Sequence, residues 1–299
     1  MTDDALERVL ESLDLEVLDR DLLLGDPGPG EGRLFGGLVA AQSVVAAGRT
    51  VEAGDLHSLH AYFLRPGRYG SPIRFVVDRI RDGRTFTTRR VVAHQDGEAI
   101  FNLSASFARP DAGVAHQAEA APEAPGPEGM IEWAELRARW WGHAIPKAAI
   151  NEAIEVRVSE EVAPPSAPGM PPQRFVWLRP RGTPPDDPLL HSALLVFASD
   201  RTLTNATFLA AGITPSPAYQ FASLDHAVWL HAAPRFDDWV LYLSRSPVAH
   251  AGRGLNHGAM FDKDGRRIAS VTQEVLVRKI DPDIDADIDA DIDTDKGSR

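Results

Sequence analysis

Two stretches of this chain return, altered, further along it. Ser58–Leu64 (SLHAYFL) is echoed by Ser223–Leu230 (SLDHAVWL), at an offset of 165 residues. Gln95–Phe107 (QDGEAIFNLSASF) is echoed by Lys263–Val275 (KDGRRIASVTQEV), at an offset of 168. A period this long, present only twice, points to two fused and packed copies of one unit rather than a solenoid. In the first copy, residues 34–48 (LFGGLVAAQSVVAAG) lack charge altogether. They read as a helix buried on most sides. Strands are predicted over 56–64, 72–80, 85–94 and 98–108, with Arg81-Asp82-Gly83 and Gln95-Asp96-Gly97 as hairpin turns. The second copy repeats the plan. A helix is predicted over 186–199, opened by Asp186 or Asp187 and Pro188. Its strands are predicted over 152–162, 173–180, 224–231, 238–245, 253–261 and 267–278, with a turn at Asp262–Gly265. One buried helix on an antiparallel sheet is an α+β unit.

The rest of the chain is punctuation. Residues 5–18 read as an amphipathic helix with Leu6, Val9, Leu10 and Leu13 on one face, followed by a Gly/Pro loop over 25–37. Residues 109–130 are rich in Ala, Pro, Glu and Gly without a period, as a linker is. The expected division is therefore an N-terminal unit at 1–110, a linker at 111–130, a C-terminal unit at 131–280 and a tail at 281–299. The tail holds eight Asp against one Lys and one Arg, which is −6 of the net −12. Such a segment reads as solvated and disordered. In Asp291–Gly297 (DIDTDKG) the glycine falls one place too late for a calcium loop. What remains is mildly acidic, which gives no support to nucleic-acid binding.

Several function classes drop out. No stretch approaches the roughly 20 apolar residues of a membrane helix. The acidic N-terminal segment is neither a signal nor a transit peptide. The chain has no cysteine, which excludes disulfides, thiolate metal sites and a Cys nucleophile, and fits a reducing, cytoplasmic setting. G-x-G-x-x-G, Gly-Lys-Ser/Thr, G-x-S-x-G and H-E-x-x-H are all missing. His57 and His60 lie three apart on a predicted strand, a poor spacing for a shared metal. No metal and no organic cofactor are expected.

Three polar residues stand in apolar surroundings of the second copy. Asp200 follows the buried helix, Ser223 opens a strand, and Gln273 interrupts IASVTQEVLVR. A buried carboxylate costs several kcal/mol, on the order of 5, unless it is paired or protonated. Each residue has a plain alternative: Asp200 capping its own loop, Ser223 starting a strand, Gln273 satisfying a sheet edge. The first copy differs at the matching places. Ser58 persists, but Gln42 or Ser43 falls near the position of Asp200, and Ser104 or Ala105 faces that of Gln273. One working site and one worn copy would account for the asymmetry.

These residues resemble the acyl-CoA thioesterase II family, which has a double hotdog fold. The resemblance runs from about Leu34 to Arg278 and rests on LFGGLVAAQ, HSLHAYFLRPG, IRDGRTFTTRRVVAHQDGEAIF, ASD, SLDHAVWLH and DGRRIASVTQE. It implies hydrolysis of acyl-CoA to a free acid and CoA, through an Asp, a Thr or Ser, and a Gln of the C-terminal hotdog. By motif these are Asp200, Ser223 and Gln273. It also implies a homo-oligomer, a dimer or larger. The family's usual Gly-Gly-Gln is Gly36-Gly37-Leu38 here, and the Asp-Ile-Asp-Ala tail lies outside the family pattern. Between residues 65 and 90 stand eight arginines and two acids, Asp78 and Asp82, a local excess of +6 that suits the phosphates of CoA. His60, Arg65 and Arg81 are the substrate-binding candidates. Two readings compete: a hotdog hydratase or dehydratase, which would use His57 or His60 with a carboxylate, and a non-catalytic acyl-CoA-binding protein.

Overall fold

The computed structural model describes residues 3–142, 149–160 and 172–280. The acidic tail lies outside them. In chain order the elements are α1 (Asp3–Leu13), β1 (Glu16–Asp19), β2 (Leu22–Gly25), α2 (Gly36–Gly48), β3 (Asp55–Phe63), β4 (Ile73–Asp82), β5 (Phe86–Gln95) and β6 (Glu98–Ala108). There follow β7 (Ile131–Glu132), α3 (Trp133–Trp141), β8 (Ile154–Val158), β9 (Arg174–Pro180), α4 (Pro188–Ser199), α5 (Asn205–Ala210) and β10 (Tyr219–Ser223). The chain closes with β11 (Asp225–Leu230), β12 (Val240–His250), β13 (Arg253–Phe261) and β14 (Arg267–Lys279).

All the strands belong to one antiparallel sheet. Its order is β1-β2-β4-β5-β6-β3-β11-β14-β13-β12-β9-β8-β7, with β10 added on β14. Read outward from the β3/β11 junction, the two halves have the same order, so the duplication in sequence is a duplication in space. At the junction Leu59 pairs with Val228 and Ala61 with His226. Burial alternates along the strands, as in β4, where Ile73, Phe75 and Val77 face in and Arg74, Val76 and Asp78 face out. That period of two sets one face of the sheet against the helices.

α2 and α4 occupy the centre, and nearly every residue of each is buried. A helix with no charged residue must be covered on all sides; here the two cover one another. Their small residues allow close approach. A Cβ on Gly48 would meet Leu189 Cδ1 at 2.4 Å, and one on Gly37 would meet the Phe197 carbonyl at 2.7 Å. Gly48 and Gly37 are at opposite ends of α2, as Leu189 and Phe197 are of α4, so the helices run antiparallel. The start of α2 therefore faces the end of α4.

The structure departs from the sequence reading in several elements: the strands β1, β2, β7 and β10 were not expected, and Ser223 closes β10 rather than opening the next strand. The first helix stops at Leu13 rather than at residue 18. Its apolar stripe would next meet Glu16, and Val17 is 63% exposed, while Glu16–Asp19 gains backbone partners on β2. α3 and α5 were not expected, although Trp133, Leu136 and Trp140 have helical spacing. Residues 117–125 carry no regular structure, yet they dock on the second half. Gln117 binds Gly265 and Arg267, the Trp177 indole N–H donates to the Pro125 carbonyl at 2.8 Å, and Ala121 and Ala124 cover Leu241, Ala259 and Phe261.

Candidate active site

Asp200 is the C-cap of α4, and the antiparallel packing carries it to the start of α2 in the other copy. That end of α2 has no cap of its own: its N-cap is Phe35, whose side chain offers no acceptor. The Gly37 N–H faces the Asp200 carboxylate and favours its charged form. A carboxylate thus sits at the positive end of a helix it does not belong to. A Cβ on Gly36 would come within 3.0 Å of Asp200 Oδ2, so the glycine keeps that oxygen clear. Alanine at position 37 is expected to force α2 from α4, with a loss of about 1–3 kcal/mol by urea denaturation. Unchanged stability would mean that the helix pair yields at no cost.

Ser223 and Gln273 meet Asp200 because β10 and β11 both pair with β14. The break between them falls at Leu224, and the Glu274 N–H donating to Asp225 at 2.6 Å pins it. Gln273 faces inward from β14 and is fully buried. Its Nε2 donates to Asp200 Oδ1 at 2.7 Å and lies 3.0 Å from Ser223 Oγ. Ser223 Oγ donates to Asp200 Oδ1 at 3.3 Å.

Proton accounting extends this set to His226, which the sequence reading did not include. Ser199 Oγ gives its proton to the Val196 carbonyl at 2.8 Å, so it accepts from His226 Nε2 at 2.8 Å. His226 Nδ1 is then an acceptor, and Gln273 Nε2 lies 3.2 Å from it. Both amide protons of Gln273 are thereby committed, one to Asp200 and one to His226. Burial pushes His226 down to about 4, which keeps it neutral and able to accept. On the far side, Tyr242 Oη donates to the Ser199 carbonyl at 3.1 Å and holds the end of α4.

Burial also pushes the Asp200 carboxyl up, to about 6; the bonds from Gln273, Ser223 and Gly37 and the nearby Arg201 charge pull the other way. It is therefore ionised at neutral pH but basic enough to take a proton. Its side chain accepts from Ser223 and Gln273, on two other segments, rather than capping its own loop.

The mirror-related end of the helix pair lacks all of this. There the C-cap of α2 is Arg49, bound to Asp14 at 2.6 Å, and α4 is capped by its own Asp187, which accepts from Leu189 N at 2.8 Å. Arg49, not Gln42 or Ser43, thus holds the position matching Asp200. Gln42 instead donates to the Ser12 carbonyl at 2.8 Å. Ala105 faces inward on β6 and Ser104 outward.

A cavity of about 640 Å³ opens beside Asp200 and Ser223. Both copies and α3 line it, with Phe35, Phe63, Trp133 and Trp140 as aromatic walls. Arg65 is among its lining residues and also pairs with Glu98 at 3.1 Å. His60 and Arg81 are not. His60 is exposed on the outer side of β3, edge-on to Trp229 at 5.1 Å. Arg81 is exposed at the end of β4. His57 bonds Ser106 Oγ at 2.8 Å. The arginine excess of residues 65–90 is largely balanced in space. Arg65 pairs with Glu98, Arg68 with Asp96, Arg79 with Asp21, Arg89 with Asp82 and Arg90 with Asp78.

Comparison with known proteins agrees with this architecture. Residues 25–108 match the family model of the acyl-CoA thioesterase N-terminal domain, and residues 115–277 that of the C-terminal domain. Acyl-coenzyme A thioesterase 8 of Mus musculus is 33% identical over 288 residues, 90% of this chain and 88% of that protein. Acyl-CoA thioesterase 2 of Haemophilus influenzae is 32% identical, over 92% of this chain and 98% of that one. The solved structure of the acyl-CoA thioesterase II TesB2 from Mycobacterium marinum superposes with a TM-score of 0.75 at 40% identity, covering 91% of this chain and 98% of that one. With both domain models matched in order and the double hotdog sheet in place, the chain belongs to the acyl-CoA thioesterase family.

Proposed function

We propose that the protein hydrolyses acyl-CoA thioesters at Asp200, with Ser223 and Gln273 as its partners. The observation that carries this is one buried carboxylate, pushed up to about 6, bonded to Gln273 and Ser223 and facing the Gly37 N–H, at the edge of a cavity lined by both copies. Asp200 Oδ1 is occupied by these donors, and Oδ2, beside Gly36, takes a proton from water. The water oxygen bonds to the thioester carbon, and the carbon–sulfur bond breaks. The proton held by Asp200 passes to the CoA thiolate, giving the free acid and CoA. The start of α2, with Gly36 on the cavity wall, supplies a positive helix end for the developing oxyanion. The hydratase alternative loses its histidines, since His57 is bonded to Ser106 and His60 faces outward.

The finer setting follows from the same reading. A chain without cysteine suits the reducing cytoplasm. Among the described residues, no helix is long and apolar enough to cross a membrane.

The test is release of CoA thiol from a panel of acyl-CoAs, read with a thiol-reactive dye; a chain without cysteine gives no background. Turnover is expected, and kcat/KM should rise with pH through an apparent pKa near 6, as Asp200 loses its proton and becomes the base. Absence of turnover on every chain length would remove the assignment. A profile flat from pH 5 to 8, on the order of three pH units, would remove Asp200 as the base.

A further inference from the structure

Two buried polar atoms behind the carboxylate lack partners, and they belong to neighbouring residues. One is an acceptor, Gln273 Oε1; the other is a donor, Asn256 Nδ2. Asn256 of β13 pairs directly with Gln273 of β14, and both side chains are fully buried. The Cβ atoms of such a pair stand about 5 Å apart on one face of the sheet. The other end of each side chain is already fixed. Gln273 Nε2 must face Asp200 and His226, because a reversed amide would set its carbonyl against two acceptors. Asn256 Oδ1 accepts from Thr207 Oγ1 of α5 at 2.8 Å. Ser246 Oγ, 3.3 Å from Thr207 Oγ1, gives its own proton to the Leu255 carbonyl at 2.8 Å. That leaves the amide end of Asn256 for Gln273.

The backbone is shaped around this cluster. Ser246 and Pro247 together oppose Asn256 alone, a bulge in β12 between Arg245 and Val248. A Cβ on Gly254 would overlap the Thr207 hydroxyl, so glycine there admits the threonine. In the first copy the pair matching Asn256 and Gln273 is Arg89 and Ala105, and Arg89 Nε turns to Thr50 Oγ1 at 2.8 Å. The polar pair belongs to the half that holds Asp200.

We propose that Asn256 is a positioning residue for Asp200: its Nδ2, directly or through one water, donates to Gln273 Oε1 and so fixes which end of the Gln273 amide meets the carboxylate. The inference rests on the thioesterase reading. The donors then run in one direction, from Thr207 to Asn256 to Gln273 to Asp200. Without Asn256 the Gln273 amide is free to reverse, and the reversed form can bond Asp200 only when the carboxyl is protonated. Loss of Asn256 therefore raises the pH at which Asp200 becomes a base. Arg201 and Tyr242, whose charges act on Asp200, and His226, on the other amide proton of Gln273, are unaltered by substitution at 256.

The experiment follows kcat and KM on a medium-chain acyl-CoA against pH in the wild type, Asn256→Leu, Thr207→Val, Gln273→Leu and the double variant Asn256→Leu/Gln273→Leu. Asn256→Leu should lower kcat by about tenfold and leave KM within about twofold. It should also move the midpoint of kcat/KM up from near 6. Thr207→Val keeps the shape of the cluster but frees Asn256 to turn, and should act in the same direction to a smaller extent. In the Gln273→Leu background Asn256→Leu should change neither kcat nor midpoint further. A lowered melting temperature with an unmoved midpoint would overturn the proposal and leave Asn256 to packing. So would an equal effect of Asn256→Leu with and without Gln273. If Asn256→Leu does not fold, the Thr207→Val profile decides. If the wild type releases no CoA, the thioesterase reading fails first. The titration of Asp200, followed by its ¹³Cγ resonance in the wild type and Thr207→Val, then still decides the role of Asn256.

Discussion

Asparagine in place of Asp200 is expected to lower kcat for acyl-CoA hydrolysis by about 10²–10⁴-fold while the protein stays folded. Asparagine has the shape of aspartate, and its Oδ1 can still accept from Gln273 and Ser223. It cannot take a proton from water, so it lacks only the base. Stability should move the other way. In the folded protein burial pushes Asp200 up to about 6, whereas in the unfolded chain it titrates in the ordinary carboxylate range. Between those values the folded state holds more protons than the unfolded one, so Asp200 costs stability increasingly as pH rises from about 4 to 6, and fully above. Asparagine relieves that cost. Asp200→Asn should melt at or above the wild-type temperature at pH 8, with the difference closing as pH falls toward 4. Kinetics on medium-chain acyl-CoA and melting curves on the same samples test both halves. Activity within a few-fold of wild type would remove Asp200 as the base. A marked drop in melting temperature would mean that the charge holds the two copies together.

The fold was legible because two physical signals agree. The uncharged helices at 36–48 and 188–199, each followed by alternating strands, occur once in each half of the chain, and a sheet of mirrored halves is what such a pair builds. Asp200, Ser223 and Gln273 stood out as polar residues in apolar segments. The contact that organises them was not legible. That Asp200 meets the uncapped start of α2 depends on the helices running antiparallel, and nothing local encodes it. The same packing sets Arg49 opposite Asp200, where matching by composition pointed to Gln42 or Ser43. The histidines show how finely register matters. SLHAYFL and SLDHAVWL align His60 with His226, but the extra Asp225 shifts the phase by one residue. In a strand one residue reverses the face. His60 therefore lies outside against Trp229, and His226, 1% exposed, becomes the inner partner of Gln273. The walls of α3 were missed for a simpler reason: a short helix after an aperiodic segment shows only two turns of pattern.

Leucine in place of Gln273 is expected to lower kcat by about 10²-fold at pH 8 and by more at pH 6. Two effects combine. Gln273 fixes the carboxylate in position, and a displacement of about 1 Å in a reacting group is worth about 10²-fold. Gln273 also donates to the charged form of Asp200, and so holds its pKa below what burial alone would give. Without that donor the base titrates higher, and a smaller share of it is ionised at pH 6. The apparent pKa in kcat/KM should therefore move up from near 6. His226 Nδ1 also loses its donor, and a buried acceptor left unpaired costs about 1–3 kcal/mol of stability. Melting curves must accompany the kinetics for that reason. The pH dependence separates the two consequences. A folding defect scales the profile without moving it, whereas loss of the donor to Asp200 moves it. A profile that falls evenly and keeps its midpoint near 6 would reduce Gln273 to packing in β14, and with it the relay from Ser199 through His226 to the carboxylate.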